Sequence, residues 1–187
     1  MTAAPPLAGV TAAPPLAPTA PGAVLVYGAA EAVHDYHAGA GGFTAACAAL
    51  AAAAPPVVVE TPLTRSSYRA LAPLPVWLRS RGVAAWRLRV LAWGELPAEA
   101  ASRTVPRLAM ALPHALHAAT RARALGLAVA IVDAPRCLLG PLADALVITA
   151  PRVYAGPCDG CAARARCGGV DDAYLTRFGA GELAPPR

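Results

Sequence analysis

Near the C-terminus, Cys158, Cys161 and Cys167 follow one another as C-x2-C-x5-C, in a stretch rich in Gly, Ala and Arg. A two-residue gap lets a tight turn aim both sulfurs inward, and the third cysteine returns from a little further along the chain. Thiolate sets of this kind hold zinc or iron–sulfur centres, which are closed by four protein ligands. Cys137 is the best candidate for the fourth. It follows Ala134-Pro135-Arg136 directly, at the end of an apolar run where a sheet edge would face the later loop. The alternative for Cys137 is an inert buried thiol. Arg152, Arg164 and Arg166 would offset the charge of such a site, and Cys47, set among alanines, reads as core.

The elements that must carry these cysteines are legible as an alternation. Val24–Tyr27, Val57–Thr61, Trp86–Trp93 and Leu127–Val132 read as strands, short and rich in β-branched or apolar residues. Between them, helices are expected over Phe43–Ala54, from Ser66 or Ser67 through Leu78, and from Thr104 to Leu125, with Pro73, Pro75 and Pro113 distorting the last two. Gly82 and Gly126 close those helices. Strands alternating with helices at this spacing imply parallel strands joined by helical crossovers, an α/β fold. Residues just after each strand then gather at one edge, where such folds bind ligands. Here those segments are 28–42, 60–67, 92–95 and 133–137.

Three units follow: an Ala/Pro-rich, disordered arm over residues 1–22, an α/β body over 23–150 and a Cys-rich metal-binding tail over 151–187. The arm carries the heptapeptide TAAPPLA twice, at residues 2–8 and 11–17. The net charge of +5 is carried by arginines in separate pairs, with no basic stripe, so a nucleic-acid surface is not expected. No stretch is long and apolar enough for a membrane span and no secretory signal is visible, so the expected compartment is the cytoplasm.

The run CDGCAARARCGGVDDAYLTRFGAGEL, with DAPRCLLG before it, resembles the C-terminal end of many radical S-adenosylmethionine (SAM) proteins. VHDYHAGAGGFTAACAAL, VVVETPLTRSSYRAL and RGVAAWRLRVLAWG resemble segments around that family's third, fourth and fifth barrel strands, so residues 24–183 correspond to its latter two-thirds. The resemblance implies a partial parallel β/α barrel and an auxiliary 4Fe–4S cluster held by Cys137, Cys158, Cys161 and Cys167. It also implies SAM or substrate contacts at His34 and Asp35, in the loop after the first strand, and at Glu60, Thr61 and Thr64. A helix-entry turn with Asp35 accepting backbone N–H groups explains the first pair as well, and strand-end polarity the other three. His114 and His117, three apart on the long helix, read as an exposed face.

The departure from the family is specific. Its radical chemistry uses a C-x3-C-x2-C loop after the first strand, and no such triplet occurs here. A cluster closed by four cysteines has no open iron for SAM. The expectation is therefore a truncated or degenerate relative, an accessory or vestigial subunit that binds 4Fe–4S and is inactive alone. An open barrel edge would call for a protein partner or self-association, and a peptide substrate fits such a role. The competing expectations are part of an active enzyme completed by another chain or an earlier start, and a non-enzymatic module stabilised by Zn2+.

Overall fold

The computed structural model describes residues 16–150 and 152–186. Five strands, β1 (Val24–Leu25), β2 (Val57–Leu63), β3 (Val83–Val90), β4 (Ala128–Val132) and β5 (Leu146–Val147), form one sheet in the order β1-β2-β3-β4-β5. Every neighbouring pair is parallel. Each strand adds beside its predecessor, so the sheet grows in one direction without the reversal of a doubly wound fold.

Six α-helices are found among the described residues: α1 (Glu31–Ala38), α2 (Gly42–Ala52), α3 (Leu74–Arg79), α4 (Ala98–Thr104), α5 (Leu108–Ala124) and α6 (Asp172–Phe178). Strand alternation sorts the sheet's two faces. Val26, Val59, Leu63, Trp86, Leu88 and Ile131 are all but inaccessible, and one core cluster joins them to Leu50 of α2, Leu74 and Leu78 of α3, and Leu112 and Ala115 of α5. The alanines on α5 let that helix approach the sheet closely. Trp86 sits at the centre and donates its indole N–H to Thr61 Oγ1 at 2.9 Å.

On the opposite face, in-register Glu60 and Arg87 point away from the helices, together with Arg89. Here the expected disordered arm ends differently from the reading above. Residues 1–15 lie outside the described residues, but Leu16 packs against the core and Thr19 bonds to Glu60.

Other departures are local. The segment after β1 is helical, so His34 and Asp35 lie on α1 and not in a loop. Pro73 and Pro75 reduce the second expected helix to a 3-10 turn over Tyr68–Ala70 followed by α3. Pro106 has no N–H to donate, and the helix read from Thr104 starts instead at Leu108, behind the separate α4. Cys47 is half-buried on α2 and not in the core, whereas His114 and His117 are exposed as read. No described helix is long and apolar enough to cross a membrane.

Candidate metal centre and sheet-edge cluster

The four cysteines read as ligands line a single small pocket with Arg136, Tyr154, Arg164, Leu183 and Pro185. Their positions follow from backbone chemistry. Beyond β4, Asp133 takes φ +59°, a conformation an Asp tolerates better than most residues because its short polar side chain bonds locally. Its carboxylate accepts the Thr149 N–H at 2.8 Å and the Thr149 hydroxyl, with Arg152 3.7 Å away. That knot fixes where the chain leaves the sheet and places Cys137 in a 3-10 turn, Arg136–Leu138. Arg152 also donates to the Val90 carbonyl at 3.2 Å, so it braces the exit of the sheet instead of facing the thiols.

Cys158 and Cys161 are joined by a type II turn. Asp159 has φ −69° and ψ 125°, Gly160 has φ +74°, and the Cys161 N–H reaches the Cys158 carbonyl at 3.2 Å. Only glycine takes the third position of such a turn without strain, which is why D-G separates the two cysteines. The loop is closed by an antiparallel bridge between Val153 and Val170, with N–H···O distances of 3.0 and 2.8 Å. Next to the bridge, Gly169 has φ +83°, and a Cβ there would collide with the Val153 carbonyl. Cys167 is held by its neighbours: the backbone N–H groups of Arg136 and Gly169 point at its sulfur at 3.4 and 3.5 Å, and its carbonyl accepts the Tyr154 hydroxyl. Arg164 stacks over the Tyr154 ring at 4.6 Å and pairs with Asp159 at 3.4 Å, and Arg166 is exposed.

N–H donors aimed at a cysteine sulfur stabilise the thiolate and are one of the means by which proteins tune iron–sulfur centres. Burial pushes the Cys137 thiol up, and the nearby sulfurs of Cys167 and Cys158 push it further, while backbone N–H groups of Ala184 and Cys137 work the other way. Loading a metal there releases a proton. The donor set thus fits a thiolate-ligated centre. Among the described residues, no three His, Cys, Asp or Glu side chains are drawn together closely enough to hold a single ion.

The five residues read as SAM or substrate contacts do not form one site. Asp35 accepts the Phe43 N–H at 2.6 Å and the Gly41 N–H at 2.9 Å, the helix-entry role that was its alternative. Thr61 lies under Trp86 on the helix-covered face. Glu60, wholly buried, sits 3.2 Å from Arg87 Nε and 3.0 Å from Arg89 Nε. The second contact is electrostatic, because Arg89 Nε has no aligned hydrogen-bond acceptor. Arg89 also meets Glu95.

His34 and Thr64 do come together, through a residue the sequence did not single out. His37 Nε2 lies 2.6 Å from the Ser66 hydroxyl and 2.9 Å from that of Thr64, and Thr64 lies 2.7 Å from Ser67. Tyr27 stacks on His37 with ring centres 4.7 Å apart, and its N–H donates to His34 Nδ1 at 3.2 Å. Burial, then the neighbouring His34, push His37 down to about 4, so it is neutral at physiological pH; burial also lowers His34, against Asp35. The visible signal was the i, i+3 spacing of His34 and His37, which share a helix face once α1 is recognised as a helix. Comparison with known proteins adds nothing here: no family model, curated protein or solved structure matches the chain.

Proposed function

We propose that this protein is a 4Fe–4S-binding, degenerate member of the radical SAM superfamily, acting as an accessory or vestigial subunit. Its body is a section of a parallel β/α barrel. The observation that carries the reading is that Cys137, from the end of β4, lines one pocket with Cys158, Cys161 and Cys167, which come from a loop more than 20 residues later. A further feature supports it: Cys167 already receives backbone N–H groups. The one-directional strand order and the charged face opposite the helices suit a barrel section whose lumen side is polar.

Such a cluster, when bound, supplies one-electron transfer. The chain's own contribution is to orient four thiolates, donate N–H groups to them and cover them with Leu183 and Pro185. With every iron ligated by cysteine, S-adenosylmethionine has no place to bind it, so SAM cleavage is not part of this role. In the body, the neutral His37 with its three hydroxyls offers only a polar wall at the sheet edge.

The test is anaerobic purification followed by metal analysis. A brown protein with broad visible absorption and about four irons per chain is expected. Cys158→Ala and Cys161→Ala should each lose the iron. A colourless protein holding one zinc per chain would replace this reading with a zinc-stabilised module, and full iron retained in both variants would remove the site itself. A second reading rests on the edge of β1, which among the described residues pairs only with β2. Further strands carrying a C-x3-C-x2-C loop, on a partner chain or encoded upstream, would dock there and complete an active enzyme. Absence of that triplet in every upstream frame and from co-purifying chains would sink it.

A further inference from the structure

The charged face of the sheet does not need the N-terminal segment in order to exist. The ion pairs Glu60–Arg87, Glu60–Arg89 and Arg89–Glu95 are made within β2, β3 and the turn that follows. Residues 16–19, in no regular structure, lie on this ready-made site. The groups that meet them are those that read an extended peptide. Leu16 packs against the core and forms part of the wall of a cleft of about 330 Å3, together with Val24, Leu25, Tyr27, His34 and His37. The Ala17 carbonyl accepts from Arg89 Nη2 at 3.2 Å. The Thr19 N–H donates to the two Glu60 oxygens at 3.1 and 3.3 Å, and its hydroxyl donates to the same carboxylate while accepting from Arg87 at 3.3 Å. Pro18, between the anchors, fixes φ and lowers the entropy lost on seating.

We infer that this face is a peptide-binding site kept occupied by the chain's own residues 16–19. The ligand it takes in trans is an extended peptide carrying Leu-Ala and, three positions after the Leu, a hydroxyl residue. The chain supplies its own control. The other copy of the heptapeptide presents Leu7-Ala8 but has Val10 where the seated copy has Thr19, so it offers no hydroxyl to Glu60. None of these contacts involves the cysteines, and the inference stands apart from the cluster.

The experiment uses the full chain with Leu16→Ser and Thr19→Val, so that its own segment no longer competes, and two fluorescently labelled peptides, TAAPPLAPTA and TAAPPLAGVT. By fluorescence anisotropy the first should bind the variant at least about tenfold more tightly than the second, the equivalent of one hydrogen bond to a charged group. It should bind the wild-type chain at least about tenfold more weakly than the variant. Equal affinity of the two peptides, equal affinity for the two proteins, or no binding to a folded variant would overturn the inference. If the variant does not fold, hydrogen exchange on the wild-type chain decides. Excess TAAPPLAPTA should speed exchange of the Thr19 amide more than TAAPPLAGVT does, and unchanged exchange at that amide refutes the site.

Discussion

The sheet and the cysteine-bearing tail are held together by different physics. The body closes over a core in which Trp86, Leu88, Ile131, Leu74, Leu78 and Leu112 are nearly inaccessible, and its strands pair along whole segments. The cysteine loop between Arg152 and Gly169 has a single two-residue bridge, several short turns and few fully buried side chains, among them Cys158 and Ala163, whereas α6 beyond it joins the core through Tyr174. Apolar burial near 25 cal/mol per Å2 can hold the first region. The cysteine loop buries too little for that, and its turns are set by glycine, Asp159 and the Val153–Val170 bridge. A region folded by its core tolerates the loss of a ligand, whereas a region folded around donors does not.

If the proposed cluster is bound, the largest effect expected is metal removal. Loaded protein treated anaerobically with a strong chelator should become sensitive to protease between residues 152 and 169 while the body and α6 stay resistant. Structural metal sites contribute on the order of 10 kcal/mol to the segments they close. Mass spectrometry of the fragments reads this directly, and equal protection of the tail with and without metal would erase the contrast.

Next comes the converse. Trp86→Ala removes the largest fully buried side chain and leaves the Thr61 hydroxyl without its donor, which should cost about 3–5 kcal/mol in urea unfolding. The metal-to-protein ratio of the remaining folded protein should not change. A loss of metal in step with stability would mean that the two regions fold as one.

A third effect acts on the body through pH. His37 titrates at about 4 in the folded chain and near 6.5 when unfolded. Its contribution is fully present above about pH 6.5 and is lost as pH falls toward about 4, because the unfolded chain then binds the extra proton. The span corresponds to about 3 kcal/mol. His37→Gln should flatten stability across this window. An unchanged slope would show that the imidazole is not buried in this way.

How much of this could be read from the sequence follows the same division. Strands β2, β3 and β4 were legible because β-branched and apolar runs between Gly and Pro leave few alternatives. β5 was not, since Leu146–Val147 is too short to carry a pattern. α1 was missed because its buried residues are His34 and His37, so a scan for apolar periodicity sees nothing. The C-x2-C-x5-C spacing, with Cys137 at a strand end, singled out the four cysteines, and all four line one pocket, although among the described residues no three potential ligands converge on a single ion. The charged face was not: Arg87 and Arg89 look like solvent-side residues of an alternating strand, and only the in-register pairing with β2 puts Glu60 between them. Nor could composition foretell that Ala17 and Thr19, inside a Pro-rich segment, would find specific partners.

The smallest effect tests the tail's dependence on backbone geometry alone. Gly169→Ala adds one methyl group at φ +83°, pointing into the Val153 carbonyl, within the bridge that closes the cysteine loop. A left-handed conformation costs a non-glycine residue about 1–2 kcal/mol, and the collision adds to it. The body shares no contact with this methyl, so its urea midpoint should stay where it is. The tail should hold its metal less well, seen as faster loss to a chelator by about tenfold or more, since a shift of Gly169 also moves the N–H that faces the Cys167 sulfur. Gly181→Ala, where a Cβ meets open space, is the matched control and should release metal at the wild-type rate. If the two variants behaved alike, the bridge would not be what shapes the site, and the tail would have to owe its form to the thiols alone.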